Sequence, residues 1–326
     1  KQVWKCQFNQ VNYHQNLYPI FSLLMTESTH FSSRFTRMET FIQQLQDEIC
    51  QALEKKDSQK FREDCWKRKE GGGGRTRVLE NGSFLEKGGV NISSVHGPMS
   101  DELAKQLGTK ASFFGACGIS LVLHPRSPKI PTVHMNLRYF ETLSGDCWYG
   151  GGIDLTPYFP YPEDFRHFHQ TLQQVCERCI PGSYEEYKKN CDEYFCLPHR
   201  QEMRGIGGIF FDHLNGSEEK YFNLVHEVGE EFLNAYLPLV DRRINEEWND
   251  EDVEFQHYRR GRYVEFNLIY DRGTLFGIKS NGRIESIFMS LPPKVDFRYN
   301  WEPRKNSPYH EICLLYTSPS PRDGHQ

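Results

Sequence analysis

Residues 116–140 read ACGISLVLHPRSPKIPTVHMNLRYF. Two β-rich runs, Ala116 to His124 and Val133 to Phe140, flank a proline-rich loop, and strands joined this way are expected to pair as antiparallel neighbours. Side chains alternate along a strand, so Ser120 and His124 share one face of the first run, while His134, Asn136 and Arg138 share one face of the second. The other face of the second run carries Val133, Met135, Leu137 and Tyr139. A base, an amide and a cation in a row, backed by an apolar face, are unlike a simple solvated surface.

Outward from this pair, YGGGIDLTP at 149–157 also reads as extended, with Gly150, Gly152 and Asp154 on one side. GIGGIFFDHL at 205–214 reads as a buried strand, and Asn81-Gly82 between two strand-like runs signals a hairpin. GRYVEFNLIYDRG and TLFGIKS, within 261–280, are expected to form two further strands, with a tight turn at Asn281-Gly282. Helical spacing appears in 38–56 through Phe41, Ile42, Leu45, Ile49 and Leu53, and after Pro162 through Phe165, Phe168, Leu172, Val175 and Cys179. Further helices are expected from Ser100, from Ser183 to Pro198, and as one long helix from Ser217. Strands linked by hairpins and interrupted by blocks of helix, without βαβ alternation, predict a single α+β domain: a large antiparallel β-sheet flanked by α-helices on both sides. Residues 1–30 show no periodicity and read as a leader, 31–312 as the domain, and 313–326, CLLYTSPSPRDGHQ, as a disordered or non-native tail.

A net charge of -5 supplies no long-range positive field, which argues against nucleic acid as a partner. The longest apolar run, Ile20 to Met25, is far short of the roughly 20 residues of a transmembrane helix. The chain therefore reads as soluble, with the cytoplasm as the expected compartment, and a mitochondrial or plastid location stays open. Ten scattered cysteines suit a reducing environment. Cys176, Cys179, Cys191 and Cys196 have the look of a zinc cluster, but the first two fall inside a continuing helical pattern, which favours core thiols.

The glycine runs fail the phosphate-loop pattern, and none gives Gly-x-Gly-x-x-Gly at the start of a helix, so nucleotide and flavin sites lack support. For Gly150 to Gly152, flanking aromatic and aliphatic residues leave two readings: a bulge, or backbone cleared for close approach of something bulky to Asp154.

WKRKEGGGG, VHG, SLVLHP, PTVHMNLRYF, GGGIDLTP, HRQEMRGIGGIFFD, RRGRYVEFNLIYDRGTLFG and RIESIFMSLPP, in this order between about 61 and 293, together resemble the oxygen-dependent coproporphyrinogen III oxidases of haem biosynthesis. The resemblance implies a homodimer that converts two propionates of coproporphyrinogen III into vinyl groups, giving protoporphyrinogen IX, with dioxygen as co-substrate and no required cofactor. It implies His134 as proton donor and Asp154 as acceptor for the pyrrole N–H groups. Ser120, the run Asn136, Leu137 and Arg138, and the run Asn281, Gly282 and Arg283 are implied as substrate-binding. His124, His134, His169 and His199 stand where metal ligands have been proposed in relatives, so a divalent metal stays an open option. Competing readings are a metal-dependent oxygenase on another carboxylated substrate and a non-catalytic tetrapyrrole carrier. The C-terminal CLLYTSPSPRDGHQ departs from the helix that relatives carry there.

Overall fold

β4 (Phe113–Pro125) and β5 (Thr132–Thr142) pair antiparallel with Gly118 opposite Arg138, Ser120 opposite Asn136 and Val122 opposite His134. The computed structural model describes residues 31–99, 104–105, 109–279 and 282–317. Around the central pair, β1 (Arg62–Lys67), β2 (Gly72–Glu80), β3 (Leu85–Pro98), β6 (Cys147–Thr156) and β9 (Gly207–Asn215) complete a seven-stranded antiparallel sheet in the order β1-β2-β3-β4-β5-β6-β9. Asn81 turns the β2–β3 hairpin at φ 59°, the left-handed conformation that such turns demand. A two-stranded ribbon, β7 (Cys196–Leu197) and β8 (Glu202–Met203), stands apart.

Alternation divides the sheet cleanly. Leu121, Met135, Leu137, Ile153 and Ile209 point to one side and are fully buried. α1 (Ser33–Glu54) lies over them and buries the predicted stripe Phe41, Ile42, Leu45, Ile49 and Leu53. Gln46 of α1 ties the layers together by donating from Nε2 to the carbonyls of Arg75 and Val90, each at 2.8 Å. Phe222 of α4 (Glu219–Glu230) meets Phe41 of α1 and Tyr149 of β6 in the same layer. Behind them lie α2 (Pro162–Cys179) and α5 (Phe232–Arg243).

Among the described residues, the opposite face is small and polar along its centre and is covered at its flanks. At the β6/β9 side, α3 (Tyr184–Tyr194) and α6 (Asp250–Ile269) bring Phe195 and Phe266 together, with Tyr194 stacked on Phe210 of β9 at 4.4 Å. At the β2/β3 side, α8 (Ile284–Phe288) and the turn after it are anchored by Ser286 Oγ to Thr76 Oγ1 (2.7 Å) and by Lys87 Nζ to the Leu291 carbonyl (2.9 Å). The sheet with helices on both sides is the α+β domain expected.

Four expectations need correction. Residues 261–279, where two strands were expected, hold the second half of α6 and α7 (Arg272–Lys279). Their Tyr, Val and Phe content favours strand, but a capping box of Asn249 with Asp252 starts a helix whose buried residues Phe255, Tyr258, Arg259, Arg262, Tyr263 and Phe266 recur every three to four positions. The long helix from Ser217 is two, α4 and α5, meeting at Glu231. Pro238 inside α5 cannot donate to Asn234, and His167 Nε2 bonds that carbonyl instead at 2.9 Å. The helix expected to run to Pro198 ends at Tyr194. The C-terminal tail begins as structure: α9 (Pro308–Thr317) carries Tyr309, Ile312 and Tyr316 into the core, and Tyr316 donates to the Pro157 carbonyl. Their three- and four-residue spacing is helical, and the Ser/Pro composition after 317 hid it. The helix expected at Ser100 to Glu102 lies outside the described residues.

Candidate active site

The β5–β6 register sets His134 directly opposite Asp154, Asn136 opposite Gly152, and Arg138 opposite Gly150. Directly opposed side chains on one face touch, and His134 Nδ1 lies 2.8 Å from Asp154 Oδ1. Asp154 is almost wholly buried, and Arg204, from the β8–β9 connection, reaches it with Nη2 at 2.8 Å from each carboxylate oxygen. Nη1 of Arg204 donates to Asn267 Oδ1 on α6 at 2.9 Å. Phe195, Tyr263 and Phe266 enclose the guanidinium, their ring centroids 3.9, 4.6 and 4.8 Å away.

Burial alone would raise the Asp154 carboxyl, but the Arg204 charge and the His134 hydrogen bond outweigh it and hold the carboxyl below its ordinary range. An ionised Asp154 requires Nδ1 of His134 to carry the proton it shares, which fixes the tautomer and leaves Nε2 as the free nitrogen. The imidazole is part exposed and packs edge-on against Phe195. Arg204, Asp154 and His134 thus form a chain from the interior to the open face.

Arg138 lies further along β5, its Nη1 donating to Asn136 Oδ1 at 2.9 Å and its Nη2 2.8 Å from Asp212 Oδ2. Of the two glycine readings, the bulge finds its place here. The β6–β9 register shifts between Tyr149 and Gly151, so Gly150 sits at an irregularity, and a Cβ there would stand 2.5 Å from Asp212 Oδ1. A Cβ at Gly152 would stand 2.6 Å from the Ile209 carbonyl. Arg138, its aspartate and the close approach of β9 fill the space beside Gly150 and Gly152.

Of the residues singled out by sequence, the structure brings Ser120, His134, Asn136, Arg138 and Asp154 onto one face. Leu137 does not join them: its side chain is fully buried in the core, so only its backbone faces the ladder. Arg283 belongs to a second region of the same face, paired with Asp64 of β1 and donating to Ser286 Oγ at 3.1 Å. β1 is four strands from β5, roughly 19 Å at ordinary strand spacing. A pocket of about 290 Å³ opens there, lined by Arg62, Asp64, Thr76, Lys87, Arg283 and Met289 among others. Gly282 donates its N–H to the Gly277 carbonyl at 2.7 Å, and Asn281 lies outside the described residues.

The four candidate metal-binding histidines do not form a ligand set. His124 bonds Thr132 Oγ1 and the Ser290 carbonyl, His169 bonds Tyr184 Oη and the Ile206 carbonyl, and His199 bonds Glu265 and Tyr270 Oη. Both ring nitrogens of each are thereby engaged within the protein, at separate places in the fold. Among the described residues no group of three His, Cys, Asp or Glu is arranged to hold a metal. Cys176 and Cys191 are buried free thiols, as the core reading expected.

Arg204, Asn267 and Asp212 were not anticipated. Arg204 and Asp212 stand in HRQEMRGIGGIFFD, but nothing in that string shows that one meets Asp154 and the other Arg138.

A sheet face that carries a carboxylate-supported imidazole and an arginine, backed by a helical layer, defines a single-domain α+β enzyme suited to proton transfer on an anionic substrate. The chain matches the family model Coproporphyrinogen III oxidase over residues 37–322, and it belongs to that family. It is therefore an oxidoreductase of haem biosynthesis that oxidatively decarboxylates coproporphyrinogen III. Among the described residues no helix is long and apolar enough to cross a membrane.

Proposed function

We propose that the enzyme uses dioxygen as its oxidant, without a resident redox cofactor or metal, and that the open sheet face between His134 and Arg283 receives the macrocycle. The observation that carries this reading is the buried chain Arg204–Asp154–His134, ending in an imidazole whose Nε2 is directed away from its fixed partner. Each conversion balances as propionate plus dioxygen plus one proton giving vinyl, carbon dioxide and hydrogen peroxide. A group that takes up a proton early and returns it late is therefore needed, and a neutral imidazole backed by a carboxylate does both.

In this mechanism His134 accepts a pyrrole N–H proton at Nε2. The electron-rich ring then bonds dioxygen, the bound peroxide takes a hydrogen from the propionate β-carbon, and the C–O bond to the ring breaks. Carbon dioxide leaves as the vinyl double bond forms, the peroxide gains the proton held on His134, and the ring nitrogen recovers one from solvent. Asp154, saturated by Arg204, stabilises the imidazolium rather than meeting the substrate itself, which revises its expected role as acceptor for the pyrrole N–H groups. Arg138, with Ser120 and Asn136 beside it, binds one propionate, and Arg283 with Gly282 and Asn281 binds another at the far side of the ring.

We further propose a homodimer. Leu268 and Ile269 at the end of α6, Phe276 and Ile278 on α7 and Ile284 on α8 are exposed apolar residues on three consecutive helices. Nine free cysteines among the described residues suit a reducing compartment, the cytoplasm in this reading.

The test is turnover of coproporphyrinogen III with and without dioxygen, each with and without a chelator. Carbon dioxide release should need dioxygen, two per substrate, and survive chelation; anaerobic release at the aerobic rate, or its loss to chelator, would overturn the reading. His134→Gln should lower kcat by about 10²–10⁴-fold. A folded His134→Gln enzyme at the native rate would remove the assigned role.

A further inference from the structure

Arg138, assigned above to a substrate carboxylate, already holds a carboxylate of the protein. Asp212 Oδ2 lies 2.8 Å from its Nη2, and the pair is only part buried, with side-chain exposures of 38% and 20%, so it is open to exchange. The backbone is specially shaped to put Asp212 there. Between the pairs Tyr149–Leu214 and Gly151–Phe211, Gly150 alone faces Asp212 and His213, and His213 adopts φ 52°. Any side chain at 150 would collide with the pair, its Cβ 2.5 Å from Asp212 Oδ1 and 2.9 Å from Arg138 Nε. Bulges that re-aim one side chain are costly irregularities, retained where the re-aimed group is used.

We propose that Asp212 is a placeholder carboxylate. It neutralises Arg138 in the free enzyme, yields to a propionate of coproporphyrinogen III, and returns to Arg138 once that propionate has left as carbon dioxide and a neutral vinyl group remains. The inference rests on the reading that Arg138 binds a substrate carboxylate. Without Asp212, the reaction would strand an unpaired guanidinium on a half-buried face, and Arg138 would hold on to any carboxylate within reach, including the propionates that the product retains. With it, arrival and departure each exchange one carboxylate for another. Two propionates react in turn, so the singly converted intermediate must also be let go to present the second. Asp64 on Arg283 repeats the arrangement at the far side of the face.

Asp212→Asn, Arg138→Gln and the double variant decide the matter. Asparagine keeps an acceptor for the His213 N–H that Asp212 Oδ1 now receives at 3.0 Å, so the bulge is preserved. Asp212→Ser and a thermal melt of each protein separate any loss of fold. Binding is read by fluorescence titration with coproporphyrin III, which has four carboxylates and cannot turn over, and with protoporphyrin IX, which has two. Asp212→Asn should bind both about two- to fivefold more tightly, the range of a part-exposed ion pair. Its KM and kcat for coproporphyrinogen III should both fall, with a burst of carbon dioxide before slow release. Arg138→Gln should bind coproporphyrin III weakly, with no further change on adding Asp212→Asn. Unchanged or weaker binding by Asp212→Asn, with Arg138→Gln still impaired, would overturn the placeholder and leave the role of Arg138 standing. Native binding by Arg138→Gln would overturn both.

Discussion

His134 and Asp154 are twenty residues apart in the chain and face each other across one ladder. Strand alternation alone put His134 with Asn136 and Arg138, and put Asp154 on one side of its own strand; register was all that remained to join them. Leu137 shows the same rule working against a motif-based assignment, since alternation places it in the core whatever run of residues it belongs to. Arg204 was not legible, because a guanidinium from a distant turn meets Asp154 only through the packing of α3 and α6. The histidines outside the site carry a prediction of their own. His169 is half-buried beside Tyr184, with Lys188 nearby, and desolvation lowers its pKa to about 4. Its folded value lies below its ordinary 6.5, so the unfolded chain binds more protons between the two. The stability this contributes is complete above pH 6.5 and is lost as pH falls toward 4, roughly 3 kcal/mol in all. Urea midpoints of the native protein should fall across that window, and His169→Gln should flatten the slope; equal slopes would refute this origin.

Helices and strands were legible where period and punctuation agreed. The α1 stripe, the Asn81 turn, β4 with β5, and the Pro162 start of α2 all combine an unmistakable spacing with a clear boundary. In α6 the aromatic and β-branched content favours strand, and the N-cap decides for helix. Asn249 Oδ1 accepts from the Asp252 N–H at 3.1 Å, and Asp252 Oδ2 accepts from the Asn249 N–H at 2.9 Å. Asp252 also pairs with Lys129 Nζ at 3.1 Å and receives the Tyr309 hydroxyl, so this one cap links α6 to the β4–β5 loop and to α9. Asn249→Ala should cost about 1 kcal/mol and lower Tm by a few degrees, measured calorimetrically. A melt unchanged from the native protein would show that packing alone sets the start of α6.

At the level of the whole molecule, α6 serves two ends. Its first half buries Arg259 and Arg260 against Glu202 and Glu86, while its last turn presents Leu268 and Ile269 to solvent. Removing either acidic partner would leave a buried guanidinium uncompensated, so this half of the helix is fixed by electrostatics as much as by apolar packing. The exposed last turn is where the proposed dimer is tested. Ile269→Asp should shift sedimentation at micromolar concentration from dimer to monomer without loss of helical signal. A native protein that sediments as a monomer would refute the dimer, and an undiminished dimer in the variant would move the interface elsewhere.

By itself the sequence determined the antiparallel sheet, its polar and apolar faces, and the family, because each rests on local period or on ordered motifs that survive without coordinates. Tertiary structure alone decided what those residues do to one another. The carboxylate of Asp154 is spent on Arg204 and His134, the space opened at Gly150 is filled by an ion pair, and three of the four candidate metal-binding histidines have both ring nitrogens engaged by protein groups. The physical reason is common to all three. A polar group's role depends on which partner satisfies it, and those partners arrive from strands and helices tens of residues away in the chain.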